Sequence, residues 1–176
     1  MIFTETPLKG AFIIEKEPFF DERGAFVRNW CKKDFTEHGL HAQFVQSNLS
    51  FNKKKGIIRG MHFQSPPYQE IKLVSCIKGE IFDVIIDLRP ESETFKQWVS
   101  VVLSDKNQKM LYVPQGFAHG FQSLDDNTYV FYHVSEYYHP EFERGIRWND
   151  PSFNIAWPIL KDIVLSHKDS SFEEFK

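Results

Sequence analysis

Short apolar runs alternate with clusters of Gly, Pro, Asn and Asp through most of the chain. Alternation of apolar and polar side chains over roughly four to eight residues is typical of a strand with one buried face. Two segments favour a helix instead, 32–38 and the tail near 159–175. The pattern predicts strands near 11–15, 25–30, 43–50, 56–64, 71–77, 80–88, 96–103, 109–113, 118–124 and 127–135.

Short strands at this spacing favour a sandwich or barrel over alternating β and α units. The length of 176 residues fits one domain with a full core, since domains commonly have about 100–200 residues. The chain has no internal repeat, no low-complexity tract and no linker rich in Pro, Gly or Ser. We therefore expect a single all-β domain over 1–176.

Composition excludes several classes of protein. Aromatic residues make up 16% of the chain and apolar residues 41%, which excludes a disordered chain. The net charge of −3 makes nucleic acid and an anionic membrane poor candidates for a partner. The most apolar stretch, 81–88, contains Asp83 and Asp87 and is shorter than the roughly 20 residues of a membrane helix.

The N-terminal residues and the cysteines bear on location. The first ten residues contain Glu5 and no long apolar run, so they do not resemble a secretory signal, and a cytoplasmic location is expected. Cys31 and Cys76 are far apart in the chain and do not form a CxxC pair. In a reducing compartment we expect them to be buried thiols rather than a disulfide.

The two-residue period of a strand places a lysine and a tyrosine on inward faces. In 127–135, Tyr132 shares a face with small, mostly apolar neighbours, and His133 points the other way. In 71–77, Lys72 shares a face with Val74 and Cys76. An ammonium on that face requires a wet or ligand-filled cavity.

Two histidines stand in distinctive segments, His62 in GIIRGMHFQ and His119 in PQGFAHGF. Strict alternation separates Arg59 from His62, although a bulge at Gly60 would bring both to one cavity. The spacing from Pro114 to His119 has the P-x-G-x-x-H form of the second cupin motif. With one imidazole where metal-binding cupins have two, a divalent site would lack ligands, and no metal is expected.

His, Lys and Tyr side chains on inward strand positions suit proton transfer beside a carbonyl group. A neutral imidazole is a base at neutral pH. An ammonium stabilises the enolate oxygen that forms, and a phenol returns a proton from another direction. Taken singly, each residue has an ordinary structural interpretation: a satisfied core histidine, a solvated lysine and a core tyrosine with a bonded hydroxyl.

The order and spacing of eight motifs resemble those of the dTDP-4-dehydrorhamnose 3,5-epimerase family over nearly the whole chain. Eight motifs in the same order are far more specific than any one of them. They are FFDERG (19–24), FVQSN (44–48), GIIRGMHFQ (56–64), IKLVSCIKGEIFDVIIDLR (71–89), VPQGFAHGF (113–121), FYHVSEYY (131–138), WNDP (148–151) and LSHKD (165–169).

This resemblance implies a cupin-like jelly-roll barrel with short peripheral helices. It implies a homodimer that acts without metal or organic cofactor on a nucleotide-linked 4-keto-6-deoxy sugar, in the supply of rhamnose for glycans such as lipopolysaccharide O antigen. The family's base corresponds to His62, the carboxylate that orients it to Asp169, the proton donor to Tyr132 and the enolate-stabilising residue to Lys72.

The family's substrate-binding positions also have counterparts here. They fall on Arg23, Gln46, Asn48, Arg59, His119, Tyr138, Glu143 and Lys168. In the usual dimer, Arg23 would reach the nucleotide of the neighbouring subunit. Guanidinium groups such as Arg23 and Arg59 match the oxygens of a diphosphate.

Two positions depart from the family pattern, and some alternatives stay open. Arg28 stands where many members have Glu, which leaves the nucleotide open with dTDP as the first choice. His133 stands where a Lys often follows the tyrosine. A C3-only epimerase and a non-catalytic cupin that binds a sugar nucleotide or a metal are the alternatives to a 3,5-epimerase.

Overall fold

Two antiparallel β-sheets carry most of the chain in the computed structural model, which describes residues 1–175. In spatial order, the first sheet consists of Ile2–Glu5 (β1), Phe12–Glu15 (β2), Lys109–Val113 (β10), Lys72–Lys78 (β7), Thr128–Val134 (β12) and Gln46–Asn52 (β5). The second consists of Glu143–Gly145 (β13), Ile58–Gln64 (β6), Phe117–Ser123 (β11), Glu80–Asp87 (β8) and Trp98–Ser104 (β9).

The remaining elements are short. Phe19–Asp21 (β3) and Gly24–Phe26 (β4) form a separate hairpin. The helices are Lys32–Glu37 (α1) and His167–Ser170 (α2), and Pro140–Phe142 forms a 3-10 turn. This architecture confirms the prediction of an all-β jelly roll with short peripheral helices.

Apolar side chains fill the space between the two sheets. Val74 and Val130 of the first sheet pack with Ile85, Leu103 and other residues of the second, all almost fully buried. Full burial of such a side chain stabilises a fold by about 1.5–3 kcal/mol. This layer therefore holds the two sheets together and sets the distance between them.

Two further apolar clusters cover the outer faces of the sheets. Phe35 of α1 packs with Ile14 and Met110 on the outside of the first sheet. Phe153 and Trp157, from the segment after β13, pack on the outside of the second sheet. The central strands are thus buried on both faces, and one end between the sheets is left for polar side chains.

The predicted strands overlap the observed ones, with one difference in extent and three omissions. The prediction at 25–30 is correct only for β4, since 27–30 is irregular. The sequence analysis missed β1, β3 and β13, which have three or four residues each. Such short strands offer too few positions for a two-residue period to stand out. Cys31 and Cys76 are free thiols, but Cys31 is only partly buried.

The predicted helix over 159–175 is wrong except for α2. The backbone of this tail bonds to distant parts of the chain instead of to itself. Val164 N–H donates to the Gly56 carbonyl, and Ile58 N–H donates to the Val164 carbonyl. Ile159 N–H donates to the side-chain oxygen of Gln122. These non-local partners replace the bonds that a helix would supply.

A bulge in β6 brings Arg59 and His62 to the same cavity. The pairing of β6 with β11 shifts between His62, opposite His119, and Arg59, opposite Phe121. Gly60 lies in the bulge with a φ of +125°, and a Cβ there would come within 2.5 Å of Gly120 Cα. Only a glycine permits this approach of the two strands. The bulge confirms one of the two arrangements that the sequence left open.

We expect Gly60→Ala to lower the free energy of unfolding by at least about 3 kcal/mol, from left-handed backbone strain and displacement of β11. Gly24→Ala is the matched control, because its φ of +127° is nearly the same but nothing lies within 4 Å of the added Cβ. We expect it to cost only about 1 kcal/mol. Urea unfolding of both variants measures the difference, and equal losses would show that the close approach is unimportant.

Asp87, at the end of β8, is a buried carboxylate that anchors the following loop. It accepts hydrogen bonds from Arg89 Nη2 at 2.7 Å, Ser92 Oγ at 2.6 Å and Thr94 Oγ1 at 2.7 Å. Burial by itself would raise the pKa of Asp87, but these hydrogen bonds outweigh it and lower the pKa to about 2. The ionised carboxylate therefore stabilises the folded chain.

Asp87→Asn should lower the free energy of unfolding by about 2 kcal/mol at neutral pH. Because the folded-state pKa lies below the ordinary value of 3.8, the stabilisation is present above pH 3.8 and is lost as the pH falls toward 2. The difference between wild type and variant should therefore narrow over that interval in acid titrations. The exposed Glu91→Gln serves as the control. A difference that does not change with pH would contradict the assignment.

Candidate active site

A cavity of about 810 Å³ opens at one end between the two sheets. Strands of both sheets and the short helix α2 contribute side chains to its wall. Apart from Arg23, every site residue predicted from the sequence lines it. These residues are Gln46, Asn48, Arg59, His62, Lys72, His119, Tyr132, Tyr138, Glu143, Lys168 and Asp169.

His62 and Asp169 form a hydrogen-bonded pair in the wall of the cavity. The Nε2 atom of His62 lies 2.6 Å from Asp169 Oδ1. Burial acts to raise the pKa of Asp169, but the hydrogen bond from His62 and the contacts from Gly60 and Ser166 outweigh it and lower the pKa. An ionised carboxylate only accepts hydrogen bonds, so Nε2 carries the proton and Nδ1 is the basic nitrogen.

The helix α2 holds Asp169 in this position. Ser166 precedes the helix, and its hydroxyl accepts a hydrogen bond from the Asp169 backbone N–H at 3.0 Å. Gly60 N–H donates to Asp169 Oδ2 at 3.4 Å. The carboxylate therefore bonds both to the bulge in β6 and to the imidazole that β6 carries.

Tyr132 reaches the cavity from the first sheet, whereas His62 comes from the second. Burial raises the pKa of the Tyr132 phenol, with Arg59 acting in the opposite direction. Within the described residues its hydroxyl makes no hydrogen bond, so it is available to a ligand. A phenol with a raised pKa keeps its proton at neutral pH, which is the protonation state that a proton donor requires.

Lys72, the first residue of β7, is buried, with only 9% of its surface exposed. Its ammonium lies 2.9 Å from Glu70 Oε1 and donates to the His62 carbonyl at 3.3 Å. The sequence analysis required a cavity beside this lysine, and the structure provides one. It missed Glu70, although two residues of separation on a strand would place Glu70 and Lys72 on the same face.

A second imidazole, His119, lies opposite His62 in the pairing of β11 with β6. Its Nε2 is 2.7 Å from Oδ1 of Asp83, which is fully buried. Nearby, Arg59 Nε donates to Asn52 Oδ1 at 2.8 Å. These partners fix the orientation of the His119 imidazole and of the Arg59 guanidinium in the cavity wall.

The mouth of the cavity has its own polar network. Glu143 accepts hydrogen bonds from Tyr138 and from Lys168, each at 2.7 Å. Burial acts to raise the pKa of Glu143, but these bonds outweigh it and lower the pKa. On the opposite side Gln46 Nε2 donates to Asn48 Oδ1 at 2.9 Å. The mouth thus presents donors and acceptors to a polar ligand.

Arg23 lies apart from the cavity. It follows β3 at the tip of the hairpin, pairs with Asp21 at 2.6 Å and is 85% exposed. Phe19, Phe20 and Phe26 of the same hairpin are also exposed. The expectation that Arg23 acts on a neighbouring subunit is compatible with this position, because nothing in its own subunit encloses it.

The two departures from the family pattern lie outside the cavity lining. Arg28 is near Asp34, at 3.9 Å. His133 Nδ1 forms a hydrogen bond with Ser47 Oγ at 2.8 Å, and the imidazole stacks on Phe44. His133 thus lies on the face of β12 opposite to Tyr132, as the strand period predicted.

Two features are absent from residues 1–175. No three His, Cys, Asp or Glu side chains come together there in a way that could hold a metal ion. No helix in this part of the chain is long and apolar enough to cross a membrane.

Comparison with known proteins identifies relatives over nearly the full length. The dTDP-4-dehydrorhamnose 3,5-epimerase of Methanothermobacter thermautotrophicus is 45% identical, over 99% of this chain and 94% of the relative. The crystal structure of dTDP-4-dehydrorhamnose 3,5-epimerase from Bacillus anthracis, with TDP and PPi bound, is 42% identical with a TM-score of 0.96 and covers 99% of both chains.

A second solved structure is dTDP-6-deoxy-D-glucose-3,5-epimerase from Legionella pneumophila in complex with dTDP-4-keto-L-rhamnose. It is 40% identical with a TM-score of 0.94, over 98% of this chain and 92% of the other. The family model described as dTDP-4-dehydrorhamnose 3,5-epimerase matches residues 5–176. The chain therefore belongs to the dTDP-4-dehydrorhamnose 3,5-epimerase family.

Proposed function

We propose that this protein inverts C3 and C5 of a dTDP-linked 4-keto-6-deoxyhexose in dTDP-L-rhamnose biosynthesis. The observation that carries this proposal is the placement of His62 and Tyr132 on opposite sheets around one cavity. Lys72 lines the same cavity, from the sheet that carries Tyr132. The relatives named above support it, because two solved structures contain TDP or a dTDP-linked 4-keto sugar.

The C4 ketone of such a sugar acidifies the hydrogens on C3 and C5. In the proposed reaction His62 Nδ1 removes one of these protons, and the electron pair moves through the ring to the C4 oxygen. The resulting enolate takes a proton from the Tyr132 hydroxyl on the opposite face, which inverts the carbon. Proton exchange with water then restores the imidazole and the phenol.

Charge in the wall of the cavity supports each step. Asp169 stabilises the imidazolium that forms when His62 takes the proton. The Lys72 ammonium stabilises the negative charge on the C4 oxygen, and its burial strengthens this interaction relative to water. Burial keeps Tyr132 protonated until the enolate forms, since it raises the pKa of the phenol.

The nucleotide part of the substrate would occupy the mouth of the cavity. Arg59 and Lys168 are cations that line the cavity, and His119 adds an imidazole. Gln46, Asn48 and Tyr138 would contact the sugar and the base, and Glu143 holds Lys168 and Tyr138 in place. Cations next to a polar wall are suited to a diphosphate.

A homodimer is also part of the proposal. Phe19, Phe20 and Phe26 are each at least 68% exposed on one small hairpin. Large exposed apolar side chains concentrated on one small hairpin are typical of an interaction surface. Docked on a second copy, the same hairpin would carry Arg23 to the partner's cavity, where its guanidinium would bind the nucleotide.

A cytoplasmic location belongs to the proposal as well, and the free thiols Cys31 and Cys76 support it because disulfides are rare in reducing compartments. The product would serve as a precursor for rhamnose-containing glycans such as lipopolysaccharide O antigen.

Incubation with the 4-keto sugar nucleotide in deuterated water should give product labelled at both C3 and C5. His62→Ala should lower the rate of exchange by about 10²–10⁴-fold, because it removes the base. His38→Ala, an exposed histidine on the outer layer, is the control and should exchange at the wild-type rate. Label at C3 alone would indicate a C3 epimerase, and no label with wild-type protein would indicate a binding protein.

Arg23→Ala should weaken dTDP binding with little effect on the maximal rate, since Arg23 is remote from the reacting atoms. Mixing this variant with His62→Ala, after dissociation and reassembly, creates dimers in which one cavity has both His62 and the partner's Arg23. We expect such mixtures to regain turnover at wild-type affinity, which neither parent shows. A failure to regain it, with mixed dimers confirmed by mass, would place Arg23 outside the partner's site.

A further inference from the structure

The Lys72 ammonium lies between two fixed polar neighbours, an ion-pair partner and a hydrogen-bond acceptor. Nζ lies 2.9 Å from Glu70 Oε1 and 3.3 Å from the His62 carbonyl oxygen. An ammonium has three N–H donors in a tetrahedral arrangement and no acceptor. These two neighbours therefore restrict the position of the ammonium, and the side chain lines the cavity.

Glu70 is itself held rigidly on both sides. The Gln69 carbonyl accepts a hydrogen bond from Gln115 Nε2 at 2.8 Å. The Ile71 N–H donates to Ser135 Oγ at 2.8 Å, and the Ile71 carbonyl accepts from Ser135 N–H at 3.0 Å. The backbone around Glu70 thus cannot move without breaking these bonds, and the carboxylate is a stable reference point for the ammonium.

The ion pair of Lys72 and Glu70 is buried, so its charges act strongly on neighbouring groups. The side chains of Lys72 and Glu70 are only 11% and 9% exposed. Leaving an ammonium unpaired at such a position is costly, and Glu70 supplies the compensating charge. The second oxygen, Oε2, is buried without a hydrogen-bond partner in the described chain. A carboxylate oxygen that is buried without a partner costs free energy, so the presence of Glu70 indicates a function besides stability.

We propose that Glu70 is a positioning residue that, with the His62 carbonyl, holds the Lys72 ammonium so that a free N–H points at the C4 oxygen of the substrate. This inference rests on the proposed function of the site. The His62 carbonyl belongs to the same residue as the proposed base, so the ammonium and the imidazole keep a fixed relation to each other. An oxyanion donor that is oriented before the reaction needs no rearrangement when charge develops.

The opposite possibility is that Glu70 binds the substrate directly through Oε2, by accepting a sugar hydroxyl. The two possibilities differ in how Glu70 depends on Lys72. A positioning residue has no function once Lys72 is absent, and its negative charge then opposes the enolate. A residue that binds a hydroxyl works equally well with or without Lys72.

A double-mutant cycle with Glu70→Gln and Lys72→Met separates them. We expect Glu70→Gln to lower kcat for C3 exchange by roughly 10-fold to 100-fold, less than the about 10²–10³-fold cost of losing an oxyanion donor. KM and the dissociation constant of dTDP should stay within about twofold, because the ion pair acts only when charge develops. In the Lys72→Met background, Glu70→Gln should leave kcat unchanged or raise it.

Glu136→Gln is the matched control. Glu136 is another carboxylate in the cavity wall, bonded to the Tyr137 N–H and not to Lys72. Its removal changes the charge of the cavity by the same amount, and it should not reproduce the kcat loss of Glu70→Gln. Thermal unfolding of each variant verifies that the fold is retained.

Several results would overturn the proposal. One is an equal loss of kcat from Glu70→Gln in both backgrounds, and another is a rise in KM without a change in kcat. If exchange by Lys72→Met is too slow to measure, the division of the Glu70→Gln effect between kcat and KM decides alone. Absence of exchange in wild-type protein would overturn the proposed function itself, whereas an additive cycle in an active enzyme would overturn only the role of Glu70.

Discussion

The contact between the backbones of Gly60 and Gly120 is the constraint from which the geometry of the site follows. Because neither residue has a side chain, β6 can bulge against β11 and turn both Arg59 and His62 inward. The bulged residue Met61 exchanges two backbone hydrogen bonds with Ile146 instead, so its own N–H and carbonyl are both paired. A bulge that re-aims side chains is a common device beside functional sites.

Once the bulge is set, pairing of charges determines how the cavity is built. His62 is paired with Asp169, His119 with Asp83, Lys72 with Glu70 and Lys168 with Glu143. Each of these four basic side chains has a carboxylate that fixes its direction, and the pairing reduces the cost of burial for His62, His119 and Lys72. The arrangement leaves the Tyr132 phenol as a neutral donor among ionic groups. It explains how several ionisable side chains share one cavity in a small fold.

Sequence reasoning predicted those parts of the site that depend on local periodicity. The inward positions of Lys72 and Tyr132 follow from the two-residue period, and the structure places both in the cavity wall. Pairs between distant segments do not follow from any local pattern: Asp169 is 107 residues from His62, and only the family resemblance connected them. The sequence left both strict alternation and a bulge in β6 open, because a glycine permits a bulge without requiring one. The predicted tail helix was wrong because the backbone of the tail bonds to partners that are remote in the chain.

The proposed base, His62, and the proposed acid, Tyr132, lie on different sheets. The thickness of the apolar core between those sheets therefore sets the distance between the two side chains. Val74, Val130 and their neighbours act as a spacer whose thickness decides how large a ring fits between imidazole and phenol. Facing sheets of this kind lie about 10 Å apart, and close packing leaves little freedom to adjust that gap. Evolution can therefore retune the fit to a different sugar by exchanging aliphatic residues that never touch it.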